Sequence, residues 1–257
     1  MKEGVRTNRN FRIVAESGDW IVVDKPPFLE AHPSKPRGAF TLWNGLRELL
    51  AFEIANGGQV SIINRLDRET SGLTLVCKTA ASARRFAGLM EERRIHKEYL
   101  AIVFGWPARD EYEIDAPLAR LGAHGFSRIW LKQGVHPLGA EARTRVRVEK
   151  RFEKNTTNGN RFSLVRAMPQ TGRTHQIRVH MAHIGHPLVG DKIYGPDEGH
   201  YLTFIETGWT PELERELLLP RHALHCTKLK VNAGEETLEW DAPLAEDLAG
   251  WVTYPAS

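Results

Sequence analysis

An aspartate stands between two arginines in the middle of residues 60–79, VSIINRLDRETSGLTLVCKT. A carboxylate flanked by the Arg65 and Arg68 guanidiniums is favoured in its charged form. Once positioned, such a carboxylate can act as a nucleophile or a general base. The same residues also suit a salt-bridged structural turn. A second concentration of reactive side chains lies in residues 170–195, QTGRTHQIRVHMAHIGHPLVGDKIYG, with Arg173, Arg178 and four histidines, His175, His180, His183 and His186. The histidines raise the question of a metal. Their spacing is not H-E-x-x-H, no Cys-x-x-Cys accompanies them, and no downstream carboxylate is obviously poised, so packing or ligand contact is favoured over a metal.

The elements that must hold these groups follow from apolar spacing. Val60, Ile62 and Ile63 precede the Asp67 loop and Leu73, Leu75, Val76 and Cys77 follow it, which reads as strand, loop, strand. Residues 11–24 read as two strands about a Ser-Gly-Asp turn, stopped by Lys25-Pro26-Pro27. Residues 42–54 have helical spacing and end at Asn56-Gly57-Gly58; residues 80–95 form a second helix with Thr79 as N-cap. Residues 97–104, KEYLAIVF, alternate as a strand, and residues 110–137 read as a loop excursion. Residues 140–149 form a strand with Arg143, Arg145 and Arg147 on one face, suited to RNA phosphates or to solvent. A strand at 162–168 follows, then a helix at 174–184 with Gly185 at its C-terminus. A short helix at 210–219, strands at 221–231 and 236–241 and a helix at 243–251 complete the chain. This irregular order predicts an α+β fold.

The 257 residues suffice for one sizeable core, as one domain or two subdomains. The formal net charge is only +3, but residues 78–97 hold six lysines and arginines against Glu91 and Glu92, a solvated face or a phosphate contact. Cys77 and Cys226 lie in apolar patterns and form no disulfide framework, which points to a reducing, cytoplasmic location. No apolar run approaches the ~20 residues of a membrane span, and residues 1–10 lack a secretory h-region. No G-x-G-x-x-G or Walker sequence supports a nucleotide cofactor.

NRLDRETSG resembles the HRLDxxTSG signature of the RluA-type pseudouridine synthases, with Asn64 in place of the usual histidine. The match continues through KPxG-x-x-x-HP, where Phe28 replaces glycine and His32 takes a structural or surface role. It continues through K-x-Y-x-A-x-V-x-G at Lys97, Tyr99, Val103 and Gly105, then GRTHQ[IL]RVHxxxxGHPxxGDxxYG, and finally R-x-x-L-H at Arg221, Leu224 and His225. It runs from about residue 11 to 251. The short segment before Phe11 leaves no room in this chain for the family's N-terminal S4-type RNA-binding domain.

The resemblance implies a mixed, largely antiparallel central sheet flanked by helices. It implies isomerisation of uridine to pseudouridine in structured ribosomal or transfer RNA, through base flipping. By the family's pattern Asp67 acts on the ribose, Tyr99 packs on the base, and Arg178, with Arg173 as the alternative, pairs with Asp67. Arg65 fills the space left by the flipped base, Ile177 walls the pocket, and Thr70 and Ser71 contact substrate. Redox state and composition do not change, so no metal, nicotinamide or ATP is expected; the partner is RNA and the protein acts as a monomer. The competing readings are an RNA-binding module that has lost catalysis, and a glycosidic hydrolase in which Glu69 is the second carboxylate.

Overall fold

In the computed structural model, residues 9–34 and 38–253 are described. The reading of residues 1–10 as lacking a secretory leader falls mostly on residues 1–8, outside the described residues.

Strands β1 (Arg12–Glu16) and β2 (Trp20–Lys25) open the chain. Helix α1 (Leu42–Leu49) starts where the Thr41 hydroxyl accepts from the Asn44 amide and Asn44 Oδ1 accepts from the Thr41 amide. The single helix expected over 42–54 is instead two. Leu50 leaves helical geometry at φ −99° and ψ 27°, and α2 (Ala51–Ala55) begins after it. Next come β3 (Ser61–Ile62), β4 (Ser71–Cys77), α3 (Ala80–Glu91), capped by the Thr79 hydroxyl, and β5 (Ile95–Phe104).

The stretch 110–137, read as a loop, carries β6 (Glu111–Asp115), β7 (Leu118–Arg120) and β8 (Gln133–Val135). These strands are too short for an alternation to show above the Gly, Pro and charge around them. Then follow β9 (Arg143–Glu153), β10 (Arg161–Pro169), α4 (Gln176–His183), α5 (Gly199–Thr207), α6 (Pro211–Leu217), β11 (Leu224–Ala233), β12 (Glu236–Asp241) and α7 (Glu246–Thr253). The α+β class is as expected, although helix α5 had no counterpart in the sequence reading.

The chain forms two compact units. In the first, Arg6–Lys97 with His225–Ala245, the strand order is β1-β2-β4-β11, with β12 on β11 and β3 on β4. Here β11 runs parallel to β4, whereas β1–β2, β2–β4, β3–β4 and β11–β12 are antiparallel. Its core joins Ile21, Val23 and Val76 of the sheet to Leu42, Leu46 and Leu50. In the second, Glu98–Leu224 with the chain from Glu246, the order β5-β10-β9-β6 is antiparallel throughout. A core of Leu118, Ile129, Ala142, Val179, Ile193 and Tyr194 ties the β7–β8 hairpin to α4.

Parts of two charge patterns are paired within the fold. The β9 arginine row faces carboxylates on β6, with Arg143 opposite Asp115, Arg145 opposite Glu113 and Arg147 opposite Glu111. Arg143 lies 2.9 Å from Asp115, and Arg147 bonds Glu149 at 2.8 Å. In the 78–97 stretch, Lys78 is buried and paired with Glu16 at 2.6 Å and Glu53 at 3.5 Å. Burial also lowers the pKa of Lys97.

Candidate active site

The Asp67 loop is short and tied down along its length. Asn64, at its entry, is buried and uses its side-chain amide as a strand would use a peptide group. Its Nδ2 donates to the Leu73 carbonyl at 2.9 Å and its Oδ1 accepts from the Leu75 amide at 2.8 Å. Leu66 is buried, and the Thr70 amide closes a turn onto the Asp67 carbonyl at 3.1 Å. At the exit Ser71 Oγ meets His225 Nδ1 at 3.0 Å. Between these anchors Asp67 is half-buried and Arg65 exposed. Thr70 and Ser71, expected at the substrate, are both 2 % exposed.

Lys25 holds the loop from the side. It is fully buried at the end of β2, and its Nζ donates to the carbonyls of Pro26 at 2.9 Å, Leu29 at 2.8 Å and Arg68 at 3.3 Å. The first two carbonyls lie on either side of Phe28, whose φ of 65° is left-handed. That is the conformation a glycine supplies without strain, and Phe28 holds it here. His32 is exposed beside Trp43. Gly72 follows Ser71 with φ 112°, and a Cβ there would collide with the Cys226 backbone of the parallel strand.

Tyr99, Arg173, Ile177 and Arg178 belong to the second unit. Tyr99 is buried on β5 opposite Ala167, and Ile177 is buried on α4. The helix expected from residue 174 begins at Gln176, because His175 takes a left-handed φ of 57° while its Nδ1 meets Tyr194 Oη at 2.8 Å. Gln176 is saturated: its Oε1 accepts from Thr171 and the Arg173 amide, and its Nε2 donates to the Arg143 carbonyl and to Thr144. Gly185 at φ 83° ends the helix, with His186 N donating to Met181 O and Gly185 N to Ala182 O.

The two candidate arginines differ in setting. Arg173 is exposed and its Nε donates to the Glu141 carbonyl. Arg178 is buried, and Asp191 grips it in a fork, Oδ2 accepting from Nε at 2.6 Å and Oδ1 from Nη2 at 2.9 Å. Asp191 Oδ1 also accepts from the amides of Ile193 and Tyr194, each at 3.0 Å. Burial alone would raise the Asp191 pKa; the Arg178 charge and hydrogen bonds outweigh it and hold the carboxyl well below the usual range. The Tyr194 ring lies 5.0 Å from the Arg178 guanidinium carbon. Nearby His222 is buried and its pKa is pushed down, by burial first and then by Arg178.

The histidines of this segment have separate duties. His180 bonds Thr144 Oγ1 and the Ala116 carbonyl, both at 2.9 Å; His186 bonds the Phe104 carbonyl; His183 is exposed. Among the described residues no group of three metal-ligating side chains converges. Sequence reasoning missed Lys25, Asp191 and the Asn64 clamp. Lys25 and Asp191 stood within matched motifs, but nothing in their spacing named their partners.

This chain is similar to known proteins over nearly its whole length. The family model described as RNA pseudouridylate synthase matches residues 19–183. Ribosomal large subunit pseudouridine synthase D of Escherichia coli O6:H1 is 37 % identical over 243 residues, covering 92 % of this chain and 68 % of that protein. Its namesake in Haemophilus ducreyi is 35 % identical over 249 residues, covering 93 % and 69 %. The solved structure of human RNA Pseudouridylate Synthase Domain Containing 1 superposes with a TM-score of 0.65 at 26 % identity, covering 96 % of this chain and 97 % of that one. An anchored aspartate loop of this sequence, joined to those matches, makes the chain a member of the RNA pseudouridylate synthase family, isomerases that convert uridine in RNA to pseudouridine.

Proposed function

We propose that this enzyme modifies uridine in large-subunit ribosomal RNA, with Asp67 acting on the ribose of a flipped nucleotide. The observation that carries the reading is the loop itself. A half-buried carboxylate stands between an amide clamp at Asn64 and a hydroxyl–imidazole contact at Ser71, with Lys25 on the Arg68 carbonyl. Such anchoring keeps a reacting group close to its attack geometry. The ribosomal substrate is supported by the relatives, which are named for the large ribosomal subunit.

The N1–C1′ bond breaks, the uracil turns, a C5–C1′ bond forms, and the proton released from C5 is balanced by one taken up at N1, so composition is unchanged. Attack of Asp67 on C1′ and removal of the 2′ proton by Asp67 are the two routes open to it. Arg178, fixed by Asp191, supplies the positive charge that the carboxylate needs, in preference to exposed Arg173. Tyr99 packs on the base, Ile177 walls it, and Arg65 fills the vacated stack. The enzyme acts as a monomer, without a metal, in the cytoplasm. Two buried free thiols, Cys77 and Cys226, suit that compartment, and no helix among the described residues is long and apolar enough to cross a membrane.

The test is tritium release from RNA labelled at uracil C5, taken from a strain lacking this gene. Release from the large-subunit fraction by the wild type and not by Asp67→Ala is expected. Release by both proteins would refute the role of Asp67, and release from transfer RNA alone would refute the substrate.

A further inference from the structure

The β7–β8 hairpin carries a surface that the reaction does not use. Phe126 is 95 % exposed and Trp130 69 % exposed, large values for aromatic rings. The Arg120 guanidinium lies over the Trp130 ring at 4.2 Å, and the His124 and His136 rings stack at 4.2 Å. Arg128 is exposed between the two aromatics. From residue 116 to 140 there are three lysines and arginines and no carboxylate; Lys132 pairs with Glu198, the residue before α5.

The platform is firmly mounted. Ile129, between the exposed residues, is buried with Leu118 and Val179, and the Gln133 amide donates to Tyr194 Oη, which also meets His175. The aromatic rings therefore stay out in solvent on a base fixed to α4.

We infer that this hairpin is a stacking platform for unpaired bases of the RNA that flank the target, with Trp130 and Phe126 as the stacking faces and Arg120 and Arg128 on the phosphates. Apolar rings flanked by the Arg120 and Arg128 cations complement a polyanion whose bases present π-faces. The inference rests on the RNA reading of the active site and extends it to recognition.

The test uses fluorescein-labelled oligouridylate and a blunt RNA duplex as probes, with binding followed by anisotropy. Trp130→Ala, and separately Phe126→Ala, is expected to weaken oligouridylate binding roughly tenfold. Duplex binding stays within about twofold, and Trp130→Phe restores most of the loss. Because stacking is not a counterion effect, the ratio persists when salt is raised. Unchanged oligouridylate affinity in both alanine variants would overturn the platform and leave the patch to a protein partner. Equal loss on both probes would reduce it to a phosphate contact and overturn it as well. Binding is read without turnover, so an enzyme that releases no tritium can still be scored here.

Discussion

Asp191 takes the Nε–Nη2 edge of the Arg178 guanidinium with both oxygens, at 2.6 and 2.9 Å, with both side chains out of solvent. Removing one partner of a buried pair leaves an uncompensated charge, at a cost of about 3–5 kcal/mol. Asp191→Asn should lose that much in urea unfolding at neutral pH. The folded pKa of Asp191 is depressed, so its contribution is fully present above the unfolded value of 3.8 and fades as pH falls through the folded one. The gap between wild type and Asp191→Asn should therefore narrow as the pH is taken below about 4. A gap that stays constant down to acid would mean that Asp191 titrates alike in the folded and unfolded protein.

Asn64 stands where the family usually has histidine, and its amide completes the β4 edge at Leu73 and Leu75. Asn64→Ala leaves a buried carbonyl and a buried amide without that partner, about 1–3 kcal/mol each. Asn64→His, which offers one donor and one acceptor when neutral, should recover part of the loss. Chemical denaturation of the three proteins checks the order; an alanine variant as stable as wild type would show that the clamp contributes nothing.

Features decided within a few residues were legible in the sequence. The Thr79 cap, the Gly185 stop and the ends of β12 follow from their neighbours. Features decided by distant partners were not. The β9 arginines are plain in the sequence, but the pairing of Arg143 with Asp115 lies in a stretch read as loop because β6 is defined only by pairing with β9. Lys25 reads only as part of the Lys25-Pro26-Pro27 strand stop, yet it donates to backbone carbonyls, which no side-chain pattern reveals. The Asp67 and Arg178 segments were legible as motifs. The use of Asp191 as the holder of Arg178 was not, since any carboxylate can pair with any arginine until the fold chooses.

Lys25 should be a positioning residue. It is fully buried, so it cannot meet RNA, but it bonds the Arg68 carbonyl next to Asp67. Lys25→Met should lower kcat by up to about 100-fold, the cost of an ~1 Å displacement of a reacting group, while KM for RNA changes little. Single-turnover tritium release at saturating RNA measures the first, and a titration the second. A purely structural lysine would lower the folded fraction without altering kcat per folded molecule.

Two buried histidines set the stability profile near neutral pH. Burial lowers the pKa of His180, which the Ala116 carbonyl offsets only in part. Burial and then the Arg178 charge lower that of His222, with Lys192 and Arg221 acting alike and Asp191 opposing. Each therefore takes up its proton at a lower pH in the folded protein than in the unfolded chain, whose ordinary value is 6.5, and His222 at a much lower one. Their contribution is complete above that pH and is lost as pH falls through the folded values. For His222, well displaced, the slope approaches about 1.4 kcal/mol per pH unit below the unfolded value, and His180 adds to it in the same direction. Urea midpoints taken between about pH 7.5 and 5.5 should fall accordingly, and His222→Gln should remove the larger part of the slope. A midpoint that is flat across that range would show that the two imidazoles are protonated in the fold as readily as in the unfolded chain.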